Sequence, residues 1–256
     1  RSSIYWSVLQ KRGKFCRNNF RPMFSSSNFQ TQMLFKRSLF PHVFYLSLIY
    51  TYRLSERPLL IHKTKFDIRQ WFIVSNVQPL TIWMYRESYL RFSSQIFSLD
   101  NFHESLHLTN HAVQCKYTNV EQRDKALPHD NMWDCHTFQT WLKQMGVKEK
   151  WNEVILPGMR EGIVCAMLAS QDVMDRRQNT YELYGADFMI SEDYKPWLIE
   201  INCSPDLSSS TSVTSRMCPQ CMEDLVKGCF IPLVLCLLLS ERENFCGPPT
   251  LGFRIS

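Results

Sequence analysis

The stretch that most constrains the fold of this chain is residues 181–205, YELYGADFMISEDYKPWLIEINCSP. Two apolar-rich runs, 183–190 and 197–202, flank the polar segment SEDYKP, which is the pattern of a β-hairpin. With the turn centred between Asp193 and Tyr194, Asp187 falls directly opposite Glu200, since the two are equidistant from that centre. Glu200 and Asn202 are two positions apart and share one face of the second strand. Two carboxylates and an amide oxygen then converge on one side of a sheet. Like charges directly opposite are unfavourable, so this face calls for a cation. Hard oxygen donors suit Mg²⁺ held by a few carboxylates and substrate phosphates. The plain alternative is a strand pair with its polar face in water.

Composition narrows the class. A chain of 256 residues with 45% hydrophobic content can bury a substantial core, which excludes a disordered chain. The net charge of +5 gives no strong nucleic-acid footprint, although a mildly basic protein suits an acidic partner. Ten cysteines without regular spacing, and no secretory leader, fit a reducing cytosol. The longest apolar run, CFIPLVLCLLL at 229–239, is shorter than the roughly 18–20 residues of a membrane span and reads as a buried helix or strand. The first residue is Arg1, as in a fragment or a chain without its natural start.

Further motifs follow along the chain. Strand-like segments at 65–75 and 80–92 are joined by a turn at 76–79. In the first, Lys65, Asp67 and Arg69 alternate with Phe66 and Ile68, so the charged side chains share a face. A salt-bridged surface strand would show the same alternation. His103-Glu104-Ser105-Leu106-His107 is a literal H-E-x-x-H, which on a helix would present two zinc ligands and a general base, with His111 one turn further on. Residues 115–135 read as a polar loop. HTFQTWLKQMG at 136–146 predicts an amphipathic helix, with Phe138, Trp141, Leu142 and Met145 on its apolar face and Gly146 as its stop. A second helix is expected over 151–174, with Pro157 near its start. Cys218-Pro219-Gln220-Cys221 is a C-x-x-C without a second pair at metal spacing, and two ordinary thiols are the simpler reading. A helix is expected from Arg216 to about Lys227.

Several of these segments carry a family resemblance. ERPLLI, TKFDIRQWFIV, PLTIWMYRESYLRFSSQIFSLDN, DNMW, ELYGADF and PWLIEINCSP together resemble the tubulin–tyrosine ligase-like family, a branch of the ATP-grasp ligases, and within it the glycylases. The resemblance covers about residues 56–227. It implies an α/β (α+β) fold, an ATP-grasp-like antiparallel sheet with packed helices. The flanks, 1–55 and 228–256, diverge from the pattern. Neither the Gly-rich covering loop nor the early phosphate-binding Lys of an N-terminal lobe is recognisable, and Tyr52-Arg53-Leu54-Ser55 stands where the family carries an adenine-contacting segment.

The resemblance also implies roles. Asp187, Glu200 and Asn202 are expected to hold Mg²⁺ against ATP. Lys65 and Asp67 would serve the nucleotide and substrate site, with Thr109 and Asn110 as further nucleotide contacts. Arg69 and Arg91 would face the phosphates and the acceptor carboxylate, and with Glu200 would carry the catalysis. The implied reaction is an ATP-dependent joining of glycine to a glutamate γ-carboxyl in the acidic tubulin tails, through an acyl-phosphate. A monomer in the cytoplasm, on the cytoskeleton and in the cilium or axoneme is the matching expectation, with no membrane or nucleic-acid partner. A shortened, non-catalytic relative that still binds tubulin is the second reading, and the zinc peptidase built on His103, Glu104 and His107 the third.

Overall fold

The computed structural model describes residues 6–9, 57–174 and 180–240, with side chains over 57–174 and 180–226. FPHVFYLSLIY at 40–50, which the sequence suggests as a core strand or helix, lies outside the described residues, as do the rest of 10–56 and the tail beyond 240. The long strands arise where the sequence is richest in aromatic and β-branched residues. The described strands are β1 (Trp6–Leu9), β2 (Phe66–Val77), β3 (Leu80–Phe92), β4 (Met132–Asp134), β5 (Glu182–Ile190) and β6 (Pro196–Asn202). All pair antiparallel in one six-stranded sheet of order β1-β3-β2-β5-β6. The short strand β4 shares the outer edge of β3 with β1, pairing at Tyr89–Arg91 while β1 pairs at Ile82–Tyr85.

Alternation along the strands sends two sets of side chains to opposite faces. One face carries Phe66, Ile68, Phe72, Leu90, Phe92, Ala186 and Phe188 in a single apolar cluster. It is covered by α3 (Cys135–Gln144) and α4 (Leu156–Ser170), which supply Phe138, Leu142, Ile163 and Met167. Two one-turn helices, α1 (Glu104–His107) and α2 (His111–Gln114), come between β3 and β4. The opposite face carries Trp71, Ile73, Tyr85 and Tyr89, packed under α5 (Ser212–Ser240) through Met217, Cys218, Cys221 and Leu225. The rest of that second face is polar and lies beside Arg69 and Asp187.

Local chemistry sets the helix ends. Asp134 caps α3 by accepting the Thr137 N–H at 2.8 Å, and Gly146, at φ +75°, lets the chain turn away after it. Phe138 and Leu142 are buried as expected, but Met145 is exposed, because the helix ends at Gln144 before that position can face the core. The second helix spans the expected stretch, with Pro157 in the first turn of its α-helical part. A π-helical turn, Trp151–Ile155, runs directly into α4. Proline, which has no N–H to give, sits where the bonding pattern changes from one helix type to the other.

Gly158 and Gly162 face the sheet one turn apart. A Cβ on Gly158 would lie 2.6 Å from Cγ of Pro196, and one on Gly162 would lie 3.2 Å from Cε1 of Phe188. The missing side chains let α4 approach β5 and β6 more closely than any other residue would allow. The third expected helix is longer than its sequence signal. α5 runs through 227 to Ser240 and takes in the apolar run at 229–239. No described helix is long and apolar enough to cross a membrane.

Candidate active site

The hairpin is the foundation of the site, and its register is not the simple one. Ile190 pairs with Pro196 and Phe188 with Leu198, so the turn is centred on Asp193. A uniform register from that centre would set Asp187 against Ile199. Instead the ladder shifts between Phe188 and Asp187, leaving Ile199 as an extra residue, and Asp187 faces Glu200. The bulge reverses the alternation of β6. Leu198 packs into the apolar cluster with Phe188, whereas Glu200, two positions on, turns to the polar face. The expected pairing of Asp187 with Glu200 is therefore present, achieved by a bulge rather than by the turn.

A ladder of ion pairs crosses β2, β3 and β5 at this level. Asp187 pairs in register with Arg69, and Asp67 with Arg91. Arg69 donates from Nε to Oδ1 of Asp187 and from Nη2 to Oδ2, the second at 3.0 Å. Arg91 grips Asp67 in the same forked way, with Nε 2.8 Å from Oδ1, and its Nη2 also lies 2.9 Å from Oδ2 of Asp187. Asn202 donates from Nδ2 to Oε1 of Glu200 at 3.1 Å and to Oδ2 of Asp187 at 3.5 Å. Lys65, Asp67, Arg69, Arg91 and Asp187 are all buried. The charged face of β2 is therefore an interior ionic cluster and not a salt-bridged surface.

Burial and charge tune these groups in different directions. Burial alone would push the Asp187 carboxyl up, but Arg91 and Arg69 outweigh it and hold it below the ordinary carboxylate range. Glu200 is pushed up, first by burial and then by the neighbouring Asp187 carboxylate. Burial brings the Lys65 ammonium down to about 8, against the attraction of Asp67. Burial raises the Tyr89 phenol to about 12, although Arg69 and Arg91 pull the other way.

This donor set fits a hard divalent cation. The Asp187 carboxylate adds to burial in raising Glu200, and a shared cation relieves the repulsion between the two. The oxygen and nitrogen of an Asn amide exchange places on rotation, so Asn202 can offer its oxygen to the same point. Asp187 would bring carboxylate oxygens that Arg69 and Arg91 now engage.

No hydrogen bond or ion pair among the described residues joins Thr109 or Asn110 to the cluster. Thr109 is buried, and Asn110 precedes α2 without making a side-chain cap. Sequence reasoning passed over Gly185. A Cβ there would lie 3.1 Å from Cδ of Arg69 and 3.1 Å from Cβ of Pro205, so the bare backbone is what lets Arg69 lie across β5. A glycine inside a strand is the signal for such an approach. Glu87 and Asp134 were also passed over. Nη2 of Arg216 lies 2.9 Å from one and 3.2 Å from the other, which fastens α5 to β3 and β4.

The structure overturns the zinc reading of His103, Glu104 and His107. His103 is not helical: it precedes α1 at φ −65°, ψ 140°, and α1 is a single turn. The two histidines therefore do not stack at helical spacing. Nε2 of His107 is 2.7 Å from the Asn101 carbonyl, and Glu104 accepts from the Tyr117 hydroxyl at 2.6 Å. Among the described residues, no three His, Cys, Asp or Glu side chains form a group that could hold a metal. Cys218 and Cys221 lie buried in α5, and burial pushes the Cys218 thiol up to about 11 and Cys221 further. They are apolar packing groups, as the simpler reading expects.

Comparison with known proteins bears on this geometry. The model of the Tubulin-tyrosine ligase family matches residues 53–236, most of the chain and all of the ionic cluster. The chain belongs to the tubulin-tyrosine ligase family. Its relatives include "Tubulin glycylase 3A" of Drosophila melanogaster, 66% identical over 172 residues, which is 67% of this chain and 17% of that protein. "Protein monoglycylase TTLL8" of Homo sapiens is 51% identical over 172 residues, 67% of this chain and 20% of that protein. "Tubulin monoglycylase TTLL3" of Homo sapiens is 49% identical over the same share of this chain and 22% of its own length. The chain thus spans about a fifth of the length of these curated relatives. The mixed α/β architecture, an antiparallel sheet with packed helices, is the one the family resemblance implies.

Proposed function

We propose that this chain carries the catalytic cluster of an ATP- and Mg²⁺-dependent ligase that joins glycine to a glutamate γ-carboxyl in tubulin tails. The observation that carries the reading is the buried ladder Arg69–Asp187–Arg91–Asp67 with Glu200 and Asn202 at its end. Its setting in a chain similar to proteins named as tubulin glycylases supports the choice of substrate. The completeness of the ladder favours a ligase over a non-catalytic relative. Residues 56–227 form the ligase-like part of the chain, with divergent segments on either side.

In this reading the glutamate carboxylate attacks the γ-phosphorus of ATP, and the bond to ADP breaks to leave an acyl-phosphate. The glycine amine then attacks the acyl carbon, phosphate leaves, and an isopeptide bond remains. Mg²⁺, when bound by Asp187, Glu200 and Asn202, screens charge on the phosphates. Arg69 and Arg91 are cations in a water-poor site, where they stabilise charge on the transferring phosphoryl group or orient a carboxylate. Lys65 adds a third cation beside them, and Asp67 holds Arg91 in place. Thr109 and Asn110 border the nucleotide. The basic charge of the chain suits an acidic tail. A monomer acting on microtubules in the cytoplasm and in cilia fits this substrate.

The test is transfer of labelled glycine to purified microtubules with ATP and Mg²⁺, comparing the chain with Glu200→Gln. Label that disappears in the variant supports the ligase and the cation site. A folded wild-type chain that transfers no label beside an active positive control refutes it.

A further inference from the structure

The cluster is electroneutral and unevenly wired. Lys65, Arg69 and Arg91 stand against Asp67, Asp187 and Glu200, three cations against three carboxylates, all buried except Glu200 at the exposed rim. A neutral group of paired charges has little net attraction for a lone cation or a lone anion, and adding either to a low-dielectric site is unfavourable. Both forked bonds of Arg69 go to Asp187. Arg91 gives its own fork to Asp67 and one further contact to Asp187. Ligands that engage Asp187 therefore affect the two arginines differently. Arg91 stays held by Asp67, while Arg69 is left as a buried guanidinium without its partner. Arg69 also lies over Gly185, where no side chain blocks a swing across the strand.

We infer that Arg69 is an exchangeable arm that couples cation binding to anion binding at this site. A divalent cation takes Asp187 from Arg69, and Arg69 takes a phosphate or carboxylate oxygen of the second ligand in return. Asp67 is the positioning residue that keeps Arg91 fixed during the exchange. The inference rests on the cation site of the proposed function and adds a rule for how that site fills: cation and phosphate bind together, and each is weak alone.

The experiment measures free Mn²⁺ by its paramagnetic resonance signal over the purified full chain, with and without a non-hydrolysable ATP analogue, after subtracting the Mn²⁺ that the analogue holds in protein-free solution. In the wild-type chain the analogue tightens Mn²⁺ by about tenfold or more, within the usual range of coupling between sites. Arg69→Met removes the competitor for Asp187, so Mn²⁺ alone binds more tightly than in the wild type and the effect of the analogue shrinks. Circular dichroism confirms that the variant is folded, and the wild-type pair of measurements decides the matter if it is not. Equal Mn²⁺ affinity with and without the analogue overturns the inference and leaves the cation site standing. The same holds for a folded Arg69→Met that binds Mn²⁺ alone no better than the wild type. No Mn²⁺ binding under either condition removes the cation site itself, and the inference with it.

Discussion

Asp187→Asn tests whether the ion-pair ladder is structural as well as chemical. Asp187 is 1% exposed and accepts from Arg69 twice and from Arg91 once. Asparagine has the same shape but replaces one acceptor oxygen with an NH₂ group. Whichever way the amide turns, an N–H of the new side chain faces an N–H of an arginine. Arg91 retains Asp67, so the loss falls mainly on Arg69. Breaking a buried pair from one side costs about 3–5 kcal/mol. For a protein of this size that is a drop in Tm of roughly 6–20 °C. The assay is thermal unfolding followed by circular dichroism in ligand-free buffer near neutral pH. The sign of the pH dependence is also fixed. The folded-state value of Asp187 is depressed, so its contribution is present above the ordinary carboxylate range and is lost as pH falls through the folded value. The gap between wild type and variant should narrow in acid. A Tm within about 2 °C of wild type at neutral pH would show that the ladder contributes little to the fold, and the structural part of the reasoning would fail.

Glu200→Gln should behave in the opposite way. The folded-state value of Glu200 is raised above 4.5, so its contribution is complete below that value and is lost as pH rises through the folded one. The glutamine variant should match or exceed wild-type Tm at neutral pH, with a difference that grows as pH rises; a fall as large as that of Asp187→Asn would contradict this. Because Lys65 loses its proton near 8, binding of an anionic nucleotide analogue should weaken as pH rises through about 8. Lys65→Arg should flatten that profile in a fluorescence titration, and an unchanged profile would remove Lys65 from the site. Gly158→Ala should destabilise by about 1–3 kcal/mol in urea unfolding, because overpacking against the Pro196 ring at 2.6 Å outweighs the roughly 1 kcal/mol gained in helix propensity. A more stable variant would mean that α4 can move away from the hairpin at little cost.

Much of the site was legible in the linear text. The alternation of KFDIR put Lys65, Asp67 and Arg69 on one face, and the two runs around SEDYKP identified the hairpin that carries Asp187 and Glu200. Strand periodicity depends on neighbours along the chain, so sequence carries it well. Other features were illegible for stated reasons. H-E-x-x-H presumes a helix longer than one turn, and α1 stops at His107. The stripe ending in Met145 presumes that α3 continues past Gln144, and it does not. The extent of α5 beyond Lys227 followed no periodic signal, while Met217, Cys218, Cys221 and Leu225 in its first part pack against Trp71 and Tyr85.

The sequence by itself determined which residues are charged, which strand faces they share and which family they resemble. Tertiary structure decided the partners. No local rule predicts the bulge at Ile199 that turns Glu200 toward Asp187, because it accompanies a tertiary arrangement in which Leu198 packs on the apolar cluster and Glu200 lies on the other side. Nor does spacing show that Arg69 binds Asp187, 118 positions away, while Arg91 divides itself between Asp67 and Asp187. Those pairings depend on strand order in the sheet, and strand order is fixed by how the two apolar faces are covered, which is a property of the whole chain.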